Sequence, residues 1–312
     1  MTPEPILEHR DTEVHHHHSH AAGSHHIGGH HVLSVEHLSV SFDMYDASAP
    51  YFSAAKVTHR IIDDLSISVH AGEIIAVVGA SGSGKTLLAD ALFGLYEPNA
   101  SVCGRIWFEG TDMGPRALSE LRGHGISLVP QRVSFLDPSM PVGRQVAGDC
   151  GWGPRGKAER SHRSRRMMEL FEAYGLSSEV ASLYPHELSG GMARRILLMC
   201  ALMDDPKLIV ADEPTPGLDL DLAVHALDDL RHFANDGGGV LLITHDLELA
   251  LRVADRIAVF KDGAIVEETS ATSFQDPNRL SHPFSRALWH AMPSNGFEVS
   301  REKEDDDGAV LP

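Results

Sequence analysis

Short, mostly apolar runs alternate along the chain with longer stretches in which apolar residues recur every three or four positions. Glu73-Ile-Ile-Ala-Val-Val78, Ile126-Ser-Leu-Val129, Leu208 to Ala211 and Val240 to Ile243 are such runs. Their length and β-branched content predict strands buried on both faces. Lys85 to Leu95, Arg163 to Tyr174 (Met167, Leu170, Phe171 and Tyr174 on one face), Met192 to Met203 and about 221–234 carry the helical period. Ile257 to Phe260 and Ala264 to Glu267 flank Asp262-Gly263, a hairpin signal. Strands alternating with helices imply βαβ units and an α/β fold with a parallel sheet.

The two ends break this pattern. Residues 1–31 are of low complexity and contain ten of the 21 histidines, among them His15, His16, His17, His18, His20, His25 and His26. Such a tract buries too little apolar surface to offset its ordering entropy, so disorder is expected there. Neutral imidazole suits nickel, zinc and copper, which makes these histidines candidate transition-metal ligands. Residues 294–312 read as an acidic, solvated tail, leaving 32–293 as the ordered domain. The longest uninterrupted apolar stretch, Ile196 to Met203, is far short of a membrane span, and the polar start does not resemble a secretory signal. A net charge of −18 argues against a nucleic-acid partner. Cys103, Cys150 and Cys200 show no disulfide or metal spacing, as expected for a reducing cytosol.

Candidate chemistry begins after the first buried strand. Gly79-Ala-Ser-Gly-Ser-Gly84-Lys85-Thr86 fits G-x-x-x-x-G-K-[ST] and opens a helix. Backbone N–H groups around Gly79, Ser81, Gly82, Ser83, Gly84 and the adjoining Leu87 would converge on phosphate oxygens. Lys85 would face the β- and γ-phosphates, and the Thr86 hydroxyl would ligate magnesium. Leu208-Ile-Val-Ala-Asp212-Glu213 delivers two carboxylates at the end of a strand, where open α/β sheets bind ligands. Asp212 is the expected magnesium holder and Glu213 the expected orienter of attacking water.

Leu188-Ser189-Gly190-Gly191-Met192, lying between these two motifs, resembles the signature motif of ATP-binding cassette (ABC) ATPases. Met192 stands where that family usually has Gln. The resemblance extends over about 72–267. It implies a RecA-like core with a parallel sheet, an antiparallel β subdomain and a helical signature subdomain at about 132–200. It also implies roles for single residues. Gln131 resembles the residue that contacts magnesium or water and senses the permease. Asp219, in Pro216-Gly-Leu-Asp219, resembles the residue bridging two ATPase subunits. His245 resembles the γ-phosphate histidine, and Ser189, Gly190 and Gly191 the donors to a nucleotide held by the second subunit. An aromatic upstream should stack on adenine; of Phe42, Tyr45, Tyr51 and Phe52, Tyr51 is the expected one.

Ser281-His-Pro-Phe-Ser-Arg-Ala-Leu-Trp-His-Ala-Met-Pro293 and Phe135-Leu-Asp-Pro138 resemble elements of the oligopeptide, dipeptide and nickel importers. That likeness implies ATP and magnesium as cofactors and a place on the cytoplasmic face of the cell membrane. It implies two separate permease subunits, a second and paralogous ATPase subunit, and an extracytoplasmic solute-binding protein. The absence of cysteine beyond Cys200, the Met-Ala-Arg-Arg run and the histidine tract are similar to nickel or metallophore importers. Nickel or a metal chelate is therefore the expected cargo, with di- or oligopeptides as the alternative. A non-transport ABC ATPase is a distant third reading.

Overall fold

The computed structural model describes residues 31–45, 56–80, 82–123, 125–148, 153–204 and 206–295. Two long strands, β1 (His31–Tyr45) and β2 (Lys56–His70), come first. They are followed by β3 (Ile74–Val78), α1 (Lys85–Leu92), β4 (Ala100–Phe108), β5 (Thr111–Asp112), α2 (Pro115–Leu121) and β6 (Ile126–Val129). A helical stretch, α3 (Val142–Ala147), α4 (Gly153–Ala173) and α5 (Gly190–Leu202), precedes β7 (Leu208–Asp212). The rest runs α6 (Leu220–Asn235), β8 (Gly239–Thr244), α7 (Leu247–Val253), β9 (Arg256–Lys261), β10 (Ala264–Ser270) and α8 (Pro283–His290).

The strands form two sheets. The central one has the order β10-β9-β3-β8-β7-β6; its pairs are parallel except β9–β10. The other is antiparallel, in the order β2-β1-β4-β5. Every residue of β3, β7 and β8 is buried. Along β3, Ile74, Ala76 and Val78 enter one core and Ile75 and Val77 the other. The first core joins the central sheet to α3–α7; the second joins it to α1 and the antiparallel sheet. With no solvent face, these strands have no reason to alternate in polarity, which is why they read as continuous apolar runs. Each fully buried aliphatic side chain contributes about 1.5–3 kcal/mol to this sandwich.

The Asp262-Gly263 turn has positive φ at both central residues, 49° and 86°, as a two-residue hairpin turn requires. Other boundaries shift. α1 stops at Leu92, ahead of Gly94 with its φ of 59°. α5 starts at Gly190 because Ser189 caps it. α4 begins ten residues before the expected Arg163, since residues 157–162 are mostly polar, are exposed and carry no apolar stripe. Strands β1, β2 and β4 have no clean alternation to read. Their register shifts between Val35 and Leu38 and again between Leu38 and Ser41, with His37 and Asp64 at positive φ.

A buried polar cluster ties β2, β3, β9 and β10 together. His70 donates to Glu73 from its backbone N–H (2.9 Å), and its Nδ1 lies 2.6 Å from the same carboxylate. Arg256 bonds Glu73 Oε1 at 2.9 Å and also pairs with Glu268. Burial alone would raise the Glu73 pKa, but the His70 hydrogen bond and the Arg256 charge outweigh it and hold the pKa at about 2, against an ordinary 4.5. A depressed folded-state pKa gives stability that is complete above pH 4.5 and is lost as pH falls towards 2. Glu73→Gln is therefore expected to lower the melting temperature at neutral pH and to flatten its decline over that acid window. An acid limb superimposable on that of the parent protein would refute this role.

Candidate functional site

β3 ends at Val78 and hands the chain to the glycine loop. A side chain at Gly79 would lie 2.2 Å from the Phe260 carbonyl oxygen on β9, so only glycine lets the loop leave the sheet there. Gly84, at φ 102°, occupies the left-handed position that caps α1. Lys85 is the first residue of α1 and is buried. Its ammonium donates to the carbonyls of Gly79 (2.9 Å) and Ala80 (2.8 Å) and reaches Ser83 Oγ at 3.5 Å. Burial depresses its pKa, partly offset by the charges of Glu213 and Asp212. Thr86 and Leu87 line the adjoining cavity, of about 460 Å³, together with Asp90, Gln131, Asp212 and Phe42.

Asp212 closes β7 at 2% exposure. The Thr86 hydroxyl donates to its carboxylate, yet Oδ1 has no hydrogen-bond partner among the described residues. Burial pushes the pKa of Asp212 up to about 6; the Thr86 hydrogen bond opposes this, Glu213 and Asp90 add to it, and Lys85 opposes it. A buried carboxylate oxygen without a partner beside a hydroxyl is a hard-oxygen donor set, and it fits a divalent cation such as magnesium.

Glu213 follows with φ 51°, a strained conformation for a residue with a side chain. Its N–H donates to the Ile243 carbonyl (2.8 Å) on β8. Both carboxylate oxygens lie 2.8 Å from His245 Nδ1. An ionised carboxylate can only accept, so Nδ1 carries the proton, and the half-exposed ring turns Nε2 away from Glu213. His245 thus bonds directly to Glu213, a contact that strand-end position alone did not reveal.

The signature residues sit at a helix start. Ser189 Oγ accepts from the Met192 N–H (3.2 Å), capping α5 and keeping its own O–H as a donor. Gly190 faces open space, whereas a side chain at Gly191 would lie 3.2 Å from the Gly217 carbonyl. Asp219 Oδ1 caps α6 by accepting from Leu222 N–H (2.9 Å), a local task that its expected role as a bridge between subunits did not include. Arg194, part of the Met-Ala-Arg-Arg run but given no place in the site by the sequence, donates from Nη1 to the carbonyls of Gln131 (3.3 Å) and Glu213 (3.4 Å). The Ser281–Pro293 element is a structural cap. Glu267 accepts from the N–H groups of Ser281 (2.6 Å) and His282 (2.9 Å), and His282 Nδ1 accepts from Phe284 at the start of α8.

His245 is thus joined to Glu213 and Thr86 to Asp212 by hydrogen bonds, Lys85 feels the charge of both carboxylates, and Gln131 lines the same cavity as Thr86 and Asp212. Tyr51, Ser81, His15, His16, His17, His18, His20, His25 and His26 lie outside the described residues. Of the other upstream aromatics, Phe42 lines the cavity, and Tyr45 lies under the Lys56 ammonium, 5.8 Å from the ring centroid.

Comparison with known proteins gives concordant findings. Residues 62–216 match the family model described as ABC transporter. The chain is 33% identical over 270 residues to the oligopeptide transport ATP-binding protein OppD of Lactococcus lactis subsp. cremoris, covering 84% of this chain and 77% of that one. It is also 33% identical over 281 residues to the dipeptide transport ATP-binding protein DppD of Escherichia coli, covering 88% and 80%. Among solved structures, a dimeric ATP-binding cassette in a post-hydrolysis state with ADP and phosphate superposes with a TM-score of 0.64 at 22% identity, covering 77% of this chain and 98% of that one. That likeness shows the fold.

The raised pKa of Asp212 carries a sign. The folded state keeps this proton up to about pH 6, while an unfolded carboxyl releases it near 3.8. Stability therefore falls as pH rises through that window, and the full cost is present at neutral pH. Asp212→Asn is expected to raise the melting temperature of the nucleotide-free protein at neutral pH by a few degrees, on the order of 3 °C. It should also remove the decline between pH 3.8 and about 6. A lower melting temperature in calorimetry would contradict the uncompensated buried charge.

Proposed function

The chain belongs to the ATP-binding subunits of oligopeptide- and dipeptide-type ABC transporters, and from that premise we propose that it hydrolyses ATP to drive import of short peptides. The observation that carries the hydrolytic part is the contact set around Glu213. A carboxylate in a strained turn is held by His245 on one side, while Lys85 and Asp212 stand close enough to perturb each other's charge. The cargo rests on the relatives, which are named for oligopeptide and dipeptide transport and align over most of this chain. Nickel, expected from the histidine tract, the Met-Ala-Arg-Arg run and the absence of cysteine beyond Cys200, has no such support. The histidine tract plays no part in this reading.

Loop N–H groups and Lys85 bind the phosphates; ATP draws the Lys85 ammonium off the Gly79 and Ala80 carbonyls, replacing neutral acceptors with charged ones. Thr86 and Asp212 would hold magnesium, which when bound neutralises phosphate charge. Glu213 orients water and accepts its proton, and the His245 Nδ1–H fixes the carboxylate for that task. Gln131 lines the same cavity as Thr86, where it would contact magnesium or water. Ser189, Gly190 and Gly191 donate to nucleotide on a second ATPase subunit, so each site is complete only in a pair. No helix among the described residues is long and apolar enough to cross a membrane; in this reading the path lies in separate permease subunits. Half-exposed Leu95, Tyr96 and Phe135 at the cavity rim offer them an apolar seat.

Glu213→Gln is expected to keep ATP binding while steady-state hydrolysis falls about 100-fold or more; retained turnover would remove Glu213 from its role. Cells lacking this gene are expected to lose uptake of a labelled dipeptide or oligopeptide and to keep uptake of labelled nickel. The reverse result would return the cargo to metal and leave the ATPase assignment standing.

A further inference from the structure

The start of α5 packs on the loop that follows Glu213. A side chain at Gly191 would meet the Gly217 carbonyl at 3.2 Å. Arg194 lies three residues on, along the same helix face. A side chain at Gly217 would lie 3.5 Å from Arg194 Nε and 3.8 Å from its Cδ. The guanidinium then continues past this glycine, and its Nη1 donates both to the Gln131 carbonyl and to the Glu213 carbonyl. One half-buried side chain therefore touches the loop after β6, the residue after β7 and the loop before α6, all from the helix that begins with Ser189, Gly190 and Gly191.

Chemistry explains why arginine can do this. Its Nη1 carries two N–H groups, one for each carbonyl, while the rigid guanidinium plane keeps Nε and Cδ against Gly217; a lysine ammonium has enough donors but lacks that plane to fix its position against the glycine. Glu213 needs such support. At φ 51° its backbone is in a conformation that persists only where the surroundings over-determine it. Its N–H is held by Ile243, its side chain by His245, and its carbonyl by Arg194.

We propose that Arg194 is a positioning residue that fixes the strained Glu213 backbone and couples it to the Ser189–Gly191 end of α5. This rests on the reading of Glu213 as the group that orients water and of the α5 start as a donor to the second subunit's nucleotide. Engagement of that end by one nucleotide then shifts α5, and Arg194 carries the shift to Glu213 and Gln131 of its own subunit. The two nucleotide sites are linked through a contiguous set of contacts.

The test compares Arg194→Ala and Arg194→Lys with the parent chain in the purified transporter. It reads kcat, KM for ATP, the Hill coefficient for ATP and the melting temperature. For Arg194→Ala, kcat is expected to fall about tenfold, as for loss of one charged hydrogen bond, with KM within about twofold. The Hill coefficient should move towards one. Arg194→Lys should be intermediate in kcat at the same KM. Parental kcat and cooperativity in Arg194→Ala would overturn the proposal, as would a KM that rises in step with the loss. If Arg194→Ala does not fold, Arg194→Lys decides: reduced kcat at unchanged KM and melting temperature supports the clamp, and unchanged kcat overturns it. Glu213→Gln in parallel separates the two readings. An inactive Glu213→Gln beside a fully active Arg194→Ala removes only the clamp, whereas a turning-over Glu213→Gln removes the catalytic reading and the clamp with it.

Discussion

The register of three parallel strands sets the rest of the molecule. Val78 on β3 is paired with Thr244 on β8, and Ile243 of β8 with Asp212 on β7. The residues that leave the sheet at this edge are therefore neighbours: the glycine loop after β3, Glu213 after β7, and His245 after β8. A slip of one residue in either pair would turn every side chain of the slipped strand to the opposite core; a slip of β7 on β8 would part Glu213 from His245, and a slip of β3 on β8 would shift the glycine loop away from both. Because β3, β7 and β8 are buried on both faces, such a slip is heavily disfavoured by packing on either side. Precision at the site is thus a consequence of apolar burial behind it.

That burial also sustains local costs. Asp212 keeps a carboxylate oxygen unpartnered in the interior, and Glu213 holds a backbone angle that side-chain-bearing residues avoid. Neither stabilises the fold. Both persist because cores on each side of the sheet, from Ile74 to Val259 on one face and from Ile75 to Phe260 on the other, are large compared with these penalties. Functional sites of this kind are where local rules are broken and the surroundings compensate.

The elements flanking the sheet are held by arginines that reach backbone carbonyls, a bond type that depends little on neighbouring side-chain identity. Arg195 bonds the Tyr174 carbonyl at 2.6 Å, and the Tyr174 hydroxyl bonds Asp229 on α6, joining the end of α4 to α5 and α6. Arg194, its neighbour in sequence, reaches the Glu213 carbonyl at the end of β7 instead. Successive helix positions lie about 100° apart, so two adjacent arginines can serve two different sides of one helix. α5 thereby links the helical region to the edge of the sheet where Glu213 and Gln131 sit.

The sequence by itself determined whatever depends on short range: the buried strands from their unbroken apolar runs, the glycine loop with Lys85 and Thr86, the paired carboxylates at a strand end, and the Asp-Gly hairpin. Each is encoded within about ten residues, where chain stiffness and turn chemistry act directly. Tertiary structure alone decided the rest. Strands β1 and β2 are interrupted by bulges that blur their alternation, and the first half of α4 has no apolar stripe, so neither could be read without the partners they pair with or follow. The bond from His245 to Glu213 spans 32 positions, and the bonds from Arg194 to Glu213 and Gln131 span 19 and 63. Ser189 and Asp219 stood out by their motifs, but their capping bonds emerged only with the helices they start. Contacts at such separation form only once sheet register and helix packing have brought the chain segments together, and no local pattern carries that information.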